Sequence, residues 1–162
     1  MQTETKTETI HGWAEKLAIG KAGEEVVQRW LEQHAQAVRD VRDDPVFQRF
    51  DIDYLVTDHA GEQHTVEVKT DRRATDKLFI EFQALTKSTA EFWLMLAPKT
   101  GKLYCFRRAL LLEYLGQNLG RFYVFTIQSG RGGQRWSVQG VAPSITDLMA
   151  ASEGRVWDVE PE

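Results

Sequence analysis

Two alternating segments joined by a short polar turn constrain this sequence more than any other feature. Residues 50–57 and 64–70 alternate between apolar and polar side chains, and the turn between them contains Gly61. Alternation with a period of two predicts strands, and two such strands around a glycine-containing turn predict a hairpin. In the second strand, Glu67 and Lys69 are therefore expected to share one face.

The segments around this hairpin predict a mixed α/β domain. Residues 13–38 place apolar side chains on one arc at helical spacing, which predicts a single long helix. Other runs predict strands at 78–85, 92–97, 102–106, 121–128 and 135–140, helices at 107–120 and near 144–151, and a short helical turn at 86–91. This order indicates a mixed sheet flanked by helices. We expect a flexible leader at 1–11, one domain at 12–142 and a C-terminal tail at 143–162.

Composition is compatible with a folded domain and does not decide its function. Of the 162 residues, 42% are hydrophobic, which is enough to form a core. No apolar run reaches the roughly 18–20 residues that a membrane span needs, and the N-terminus lacks the pattern of a signal peptide. These features predict a cytoplasmic protein without membrane association. The formal net charge of -4 weighs against binding of nucleic acid through overall charge, but it is compatible with a local basic rim.

The candidate functional residues are individually weak signals. Glu24 lies on the edge of the apolar arc of the first helix, where its head could also reach solvent. Asp51 and Asp53 are expected on one face of the first strand, opposite an apolar face that includes Phe50. That face could be an ordinary solvent-facing surface, and a Glu–Lys pair on the second strand could be a surface ion pair. The four histidines show no ligand spacing and are assigned no role.

The combination of these residues is more specific than its parts. The hairpin allows Asp53 and Glu67 to approach each other, and crowded carboxylates repel unless a cation is present. A hard divalent ion such as Mg²⁺, with Mn²⁺ as a substitute, prefers oxygen ligands, which Asp53, Glu67 and the Val68 carbonyl could supply. Lys69 on the same face could orient or help to deprotonate a water molecule. The sequence therefore predicts a metal-dependent hydrolytic site.

These motifs resemble those of the PD-(D/E)XK nuclease superfamily. The helix segment 20–24 (GKAGE) is similar to the helix motif of archaeal junction resolvases and small bacterial endonuclease-like proteins, and 51–56 and 64–70 are similar to their acidic and E-V-K strands. Segments 78–82 and 88–93 are similar to a phage- and plasmid-associated branch.

The resemblance covers roughly residues 12–115, and what it implies is specific. It implies a restriction endonuclease-like αβββαβ core and metal-dependent hydrolysis of phosphodiester bonds, most simply in DNA, with Asp53, Glu67, Lys69 and Glu24 as the functional residues. Two departures are visible. Ile52 stands where many members have proline, so Asp51 could share the role of Asp53, and 84–87 replace a Gly-Ser stretch.

A nucleic-acid substrate requires cations near the metal site. Arg72, Arg73 and Lys77 follow the E-V-K strand and Lys87 lies in a later turn, so these four are candidate phosphate contacts, although a solvated basic loop would show the same pattern. The glycine-rich segment 129–135, which contains two arginines, is a weaker candidate. The resemblance is also compatible with a homodimer. The alternative function is a non-catalytic nucleic-acid-binding or assembly module that retains the nuclease fold.

Overall fold

A computed structural model describes residues 2–7, 13–131 and 134–159, with side chains at 20–128 and 137–159. In chain order the elements are β1 (Gln2–Thr7), α1 (Trp13–His34), β2 (Ala37–Asp40), α2 (Pro45–Gln48), β3 (Tyr54–Thr57), β4 (Gln63–Thr70), β5 (Ile80–Glu81), α3 (Phe82–Lys87), β6 (Phe92–Ala97), β7 (Lys102–Arg107), α4 (Arg108–Asn118), a short 3₁₀ helix (Leu119–Arg121), β8 (Tyr123–Arg131), β9 (Gln134–Val141), α5 (Ile145–Ala151) and β10 (Arg155–Asp158).

The central layer is a six-stranded mixed sheet in the order β10-β7-β6-β4-β3-β2. The β4 and β6 strands are parallel, and every other neighbouring pair in this sheet is antiparallel. A second sheet has the order β1-β8-β9-β5. The prediction of an α/β domain with a mixed central sheet flanked by helices is therefore confirmed.

The two faces of the central sheet belong to two separate apolar clusters. On one face, Val27 and Leu31 of α1 pack with side chains from β3, β4 and β6, including Val66 and Val68. On the other face, Trp93 and its neighbours pack with α3, α4, α5 and strands of the second sheet. Because successive side chains in β4 point to opposite faces, its valines lie under α1 and its intervening Glu67 points away from that helix.

The predicted hairpin is formed by β3 and β4. Tyr54 pairs with Val66 and Thr57 with Gln63. Gly61 adopts a φ of 86° in the connecting turn, a conformation that favours glycine because it has no Cβ. Glu67 and Lys69 lie beyond this pairing and are held in the sheet by the parallel strand β6, where they pair with Trp93 and Met95.

The first strand of the hairpin is shorter than the sequence predicts, and the assignment of 50–53 to it is wrong. Asp44 caps the short helix α2 by accepting a hydrogen bond from the Val46 amide at 2.9 Å. The chain then turns at Asp51, where φ is 50°, and β3 starts only at Tyr54. Asp51 and Asp53 therefore do not lie side by side on one strand face, and Phe50 is 46% exposed rather than buried.

The long helix predicted at 13–38 ends at His34, and Ala37–Asp40 forms β2 instead. The Gln36 amide donates to the Thr57 carbonyl at 3.0 Å, and β2 continues as an antiparallel partner of β3. The helical periodicity of the sequence continues beyond the end of α1, but residues 37–40 form hydrogen bonds with β3 instead. The pattern therefore overestimates the length of the helix. Strand β2 gives the chain three consecutive antiparallel strands after α1.

The strand predicted at 78–85 is also wrong for most of its length. Only Ile80–Glu81 is extended, and it pairs with β9 in the second sheet. The chain then forms α3 at Phe82–Lys87, earlier than the helical turn predicted at 86–91. Leu85 is buried on this helix, so its packing in the core selects a helix where the apolar run alone indicated a strand.

Both chain ends contribute regular structure. In the predicted leader, Gln2–Thr7 forms β1 and pairs in parallel with β8, whereas residues 1 and 8–11 lie outside the described residues. In the predicted tail, Leu148 of α5 has no solvent exposure, and β10 pairs with β7. The segment up to Val159 therefore packs onto the domain. Among the described residues, no helix combines the length and apolarity needed to cross a bilayer.

Candidate active site

Asp53 lies immediately before β3 and is tied to β4 through both its backbone and its side chain. Its amide donates to the Val66 carbonyl at 2.9 Å, and its Oδ2 accepts a hydrogen bond from the Val68 amide at 2.7 Å. These two contacts place the carboxylate beside Glu67. Burial raises the pKa of Asp53 to about 6; the Val68 amide opposes this rise, and nearby Glu24 and Glu67 add to it.

Glu67 is a buried carboxylate in the middle of the sheet, with only 3% of its surface exposed. Its Oε1 accepts from Lys69 Nζ at 2.7 Å, while its Oε2 has no hydrogen-bond partner among the described residues. Burial raises the pKa of Glu67, and Lys69 and the Ser88 hydroxyl oppose this rise more weakly. A buried oxygen without a partner is costly. A cation placed at this oxygen would remove that cost.

Lys69 is the cation nearest to these carboxylates. Its side chain is 37% exposed, and Nζ lies 5.8 Å from the centre of the Trp93 ring. Burial lowers the pKa of Lys69, but Glu67, Asp53 and Asp51 together raise it above its ordinary value. The lysine is therefore charged at neutral pH, and its partly exposed side chain contacts the buried Glu67.

Glu24 is brought to this group by close packing of α1 on β4. A Cβ built at Gly23 would lie 2.2 Å from Thr70 Oγ1, so the helix can approach the strand only where there is no side chain. Glu24 Oε2 accepts from Arg42 Nη1 at 2.8 Å. The Tyr54 hydroxyl donates to the Glu24 carbonyl at 3.2 Å. These contacts fix this turn of α1 against the loop that follows β2.

Arg42 is a site residue that the sequence analysis missed. Besides Glu24, its guanidinium donates to both carboxylate oxygens of Asp40, at 3.0 and 2.7 Å, and to Gln28 at 3.2 Å. The hydrogen bonds with Asp40 and Glu24 raise the pKa of Arg42 against the opposing effect of burial. No local pattern identifies this arginine, because Glu24 is 18 positions away and comes close only through the fold.

The four predicted functional residues line one cavity of about 320 Å³. The lining consists of Glu24, Arg42, Gln48, Asp51, Ile52, Asp53, Glu67, Val68 and Lys69. It contains four carboxylates and two cationic side chains, so negative charge is in excess. Such an arrangement is suited to a hard divalent cation, with Asp53 and the free Oε2 of Glu67 as the first oxygen donors.

Asp51 and Asp53 have different surroundings, which bear on which of them is the acidic residue of the candidate metal site. Both line the cavity. Asp51 Oδ1 lies 3.2 Å from Lys87 Nζ, whereas Asp53 is fixed by the Val68 amide alongside Glu67. Both aspartates lie near Glu67, because the charge of Asp51 adds to the raised pKa of Glu67 and the charge of Glu67 adds to that of Asp53. Both are therefore candidates to share a cation with Glu67, and Asp51 also connects the cavity to the basic side chain of Lys87.

The predicted phosphate contacts are not all in one place. Lys87 reaches the cavity through Asp51. Arg73 instead folds back onto the buried Asp71, with its Nη2 2.6 Å from Asp71 Oδ2, and Lys77 lines a separate cavity of about 230 Å³. Arg72 is exposed and lies outside the cavity lining. The side chains of the two arginines in the glycine-rich segment 129–135 lie outside the described residues.

Another cavity, of about 690 Å³, lies between α1 and β10. Trp30 and Trp157 contact each other there, with ring centroids 4.7 Å apart. The charged side chains in its described lining are Arg29 and Asp158, with His34 as a further titratable group. This composition offers aromatic surface without a cluster of carboxylates, so metal chemistry is better supported by the smaller, acidic cavity.

Comparisons of the chain with protein-family profiles, with curated proteins and with solved structures found no match. The fold and the cavity define a class in structural terms. It is an α/β domain whose mixed sheet and first helix bring four carboxylates and a lysine into one cavity. The resemblance to PD-(D/E)XK nucleases stays a prediction.

Proposed function

We propose that this protein is a divalent-metal-dependent nuclease that hydrolyses phosphodiester bonds, with DNA as its substrate. The observation that carries the proposal is the buried Glu67, which lines a cavity together with Asp53 and Lys69 and whose Oε2 has no hydrogen-bond partner among the described residues. Glu67 forms an ion pair with Lys69, and the Ser88 hydroxyl also lowers its pKa; a cation at Oε2 would satisfy the oxygen that lacks a partner among the described residues.

The order of elements supports the proposal. Helix α1, strands β2, β3 and β4, helix α3 and strand β6 follow one another as α, β, β, β, α, β in and around the central sheet. This order is compatible with the αβββαβ core that the sequence resemblance implies. The short helix α2, between β2 and β3, and the two-residue β5, which belongs to the second sheet, are additions to that order.

The donor set fits Mg²⁺ or Mn²⁺. Asp53 and Glu67 offer carboxylate oxygens, and Val68 lies between them in the lining of the cavity. Mg²⁺, when bound there, would supply a water of lowered pKa and offset negative charge on the phosphate. Burial around both carboxylates strengthens these electrostatic effects, because the interactions are less screened than in water.

The chain's own residues have separate tasks in this proposal. Lys69 donates to Glu67 Oε1, which keeps that oxygen occupied and leaves Oε2 for the cation. Lys69 also lines the cavity, where its ammonium could orient an attacking water. Arg42 holds Glu24 at the cavity wall. Lys87 at the rim is the best-placed candidate to bind a flanking phosphate.

A cleavage panel tests the proposal. Supercoiled, linear, single-stranded and branched DNA and an RNA would be incubated with the full chain in Mg²⁺, in Mn²⁺ or in EDTA. We expect metal-dependent cleavage of at least one DNA form, and a decrease of about 100-fold or more in Lys69→Ala, the size expected for loss of a group that assists proton transfer. Glu67→Ala should abolish cleavage without loss of folding.

The matched control is Glu113→Gln, which alters an exposed carboxylate on α4. It should cleave like the wild type. Cleavage that is unchanged by both site substitutions would reject the proposal. Nucleic-acid binding without cleavage and without metal binding at Asp53 and Glu67 would favour the alternative, a non-catalytic binding module with the same fold.

A further inference from the structure

A second group of ionisable side chains meets at the turn between β3 and β4, outside the lining of the candidate catalytic cavity. Asp58, Glu62 and His64 bring one ligand atom each to within 4.8 Å of one another. Glu91, which precedes β6, contacts the same histidine. The cluster thus joins the end of β3, the turn and the start of β4.

The turn itself arranges the carboxylate of Asp58. Its Oδ1 accepts the backbone amides of Ala60 and Glu62 at 2.9 and 3.0 Å, so Oδ2 remains for His64. Gly61 allows the chain to reverse, and the Asp58 amide donates to the Glu62 carbonyl at 2.9 Å. Glu62 is exposed and returns to the side of Asp58 at the start of β4.

The orientation of His64 is set from its other nitrogen. Nδ1 lies 2.8 Å from Glu91 Oε2, and Nε2 lies 2.9 Å from Asp58 Oδ2. Glu91 is positioned in turn by its amide, which donates to Thr65 Oγ1 at 2.9 Å. A histidine whose Nδ1–H is accepted by a carboxylate presents Nε2 to a metal, and this is the usual arrangement around ligating histidines.

The separation of the His64 and Asp58 ligand atoms also fits a small tetrahedral ion, and the ligand atom of Glu62 lies within 4.8 Å of both. Ligands at roughly 2.0 Å from a tetrahedral Zn²⁺ are about 3.3 Å from each other. The 2.9 Å between His64 Nε2 and Asp58 Oδ2 needs only a small widening to reach that separation. One imidazole among carboxylates favours Zn²⁺ or a similar transition metal over Mg²⁺, which prefers oxygen ligands alone.

We propose that Asp58, Glu62 and His64 form a zinc-type metal site that is separate from the catalytic cavity and fastens the β3–β4 hairpin. When the ion binds, the proton between His64 Nε2 and Asp58 leaves to solvent, and Glu91 keeps the proton on Nδ1. The ion connects the two strands at the end opposite to Asp53 and Lys69. Because it binds only the folded hairpin, it stabilises the domain by mass action.

Calorimetric titration of the metal-free full chain with Zn²⁺, without Mg²⁺, tests this site. The titration uses Glu67→Gln as background, because Zn²⁺ would also bind the carboxylates of the catalytic cavity. In this background we expect one ion per chain and a matching rise in melting temperature. His64→Ala should abolish both. Glu62→Gln removes a ligand but leaves both ion pairs of His64 in place, and it should weaken binding at least tenfold. Glu91→Gln should weaken it by about 10-fold or more through the lost orientation of the ring.

Two controls separate this site from its surroundings. His59→Gln alters an exposed histidine in the same turn and should leave the Zn²⁺ at that turn in place. Glu67→Gln alters the catalytic cavity and should remove at most the Zn²⁺ bound in that cavity, not the ion at the turn. The proposal is overturned if Glu67→Gln binds no Zn²⁺ below millimolar concentration, or if adding His64→Ala and Glu62→Gln to it leaves Zn²⁺ binding unchanged. Zinc binding at this turn by a chain that cleaves nothing would support this site and reject the nuclease.

Discussion

Asp53→Asn should stabilise the metal-free protein at neutral pH and should abolish the proposed nuclease activity. Burial raises the pKa of Asp53 from its ordinary value of 3.8 to about 6, a difference of about 2 units, and each unit corresponds to about 1.4 kcal/mol. Keeping this carboxylate ionised in the folded chain therefore costs up to about 3 kcal/mol. Asparagine avoids that cost, and its side-chain oxygen can still accept from the Val68 amide.

The sign of the pH dependence follows from linkage. Between pH 4 and 6 the folded protein binds a proton at Asp53 that the unfolded chain has already lost, so this group lowers the free energy of unfolding as pH rises through that window. The advantage of Asp53→Asn should therefore be near zero at pH 4 and complete above about pH 6.5. Mg²⁺ should reduce it, because only the wild type gains the cation.

Urea unfolding in EDTA at pH 4, 5, 6, 7 and 8 measures this effect for the wild type and for Asp53→Asn. We expect the variant to be more stable by about 1–3 kcal/mol at pH 8, where 3 kcal/mol is the upper limit from the pKa difference. Equal stability of the two proteins at every pH, or an advantage that does not change with pH, would refute the argument that Asp53 is kept ionised against burial.

Three further predictions concern packing and pH. Gly23→Ala should destabilise the fold by about 1–3 kcal/mol, because its Cβ would meet Thr70 Oγ1 at 2.2 Å. Adding Thr70→Ala should recover much of the loss. Gly20→Ala, where no atom lies within 4 Å, should raise the free energy of unfolding by up to about 1 kcal/mol in thermal or urea unfolding. Leu148→Ala should cost about 2–5 kcal/mol in urea unfolding, since the side chain is fully buried; a loss below 0.5 kcal/mol would show that α5 is not part of the core. The cleavage rate at fixed Mg²⁺ should rise with pH as Asp53 loses its proton, with a midpoint at about pH 6 or lower. A rate that falls over pH 5–7 would contradict the proposed role of Asp53 as a metal ligand.

The part of the site carried by the hairpin was predictable because its pattern is local. Alternation along 64–70 predicts β4, and Gly61 marks the turn, so Glu67 and Lys69 fall on one face of a strand without further information. Asp53 also reaches its predicted neighbour Glu67, although it precedes β3 rather than lying within it. Asp53 lies near Glu67 although it precedes the observed start of β3, because the hydrogen bond from the Asp53 amide to the Val66 carbonyl keeps this part of the chain alongside β4.

The remaining features depend on contacts between residues far apart in sequence. Arg42 becomes part of the site only when α1 lies beside the loop after β2. Strand β2 exists because β3 supplies its hydrogen-bond partners, and α3 is selected by burial of Leu85. The sequence assigns His64 no role because the four histidines show no ligand spacing, and Glu91 joins it only through the pairing of β4 with β6.

The most direct test of the central claim is the rate of cleavage of supercoiled DNA as a function of Mg²⁺ concentration, in the wild type and in Glu67→Gln. If Mg²⁺ binds in the cavity of Asp53, Glu67 and Lys69, the cleavage rate of the wild type should saturate with Mg²⁺ concentration. A folded Glu67→Gln should show no saturable cleavage. An active preparation whose metal dependence is the same in both proteins, or a wild type that cleaves no DNA form in Mg²⁺ or Mn²⁺, would contradict the claim.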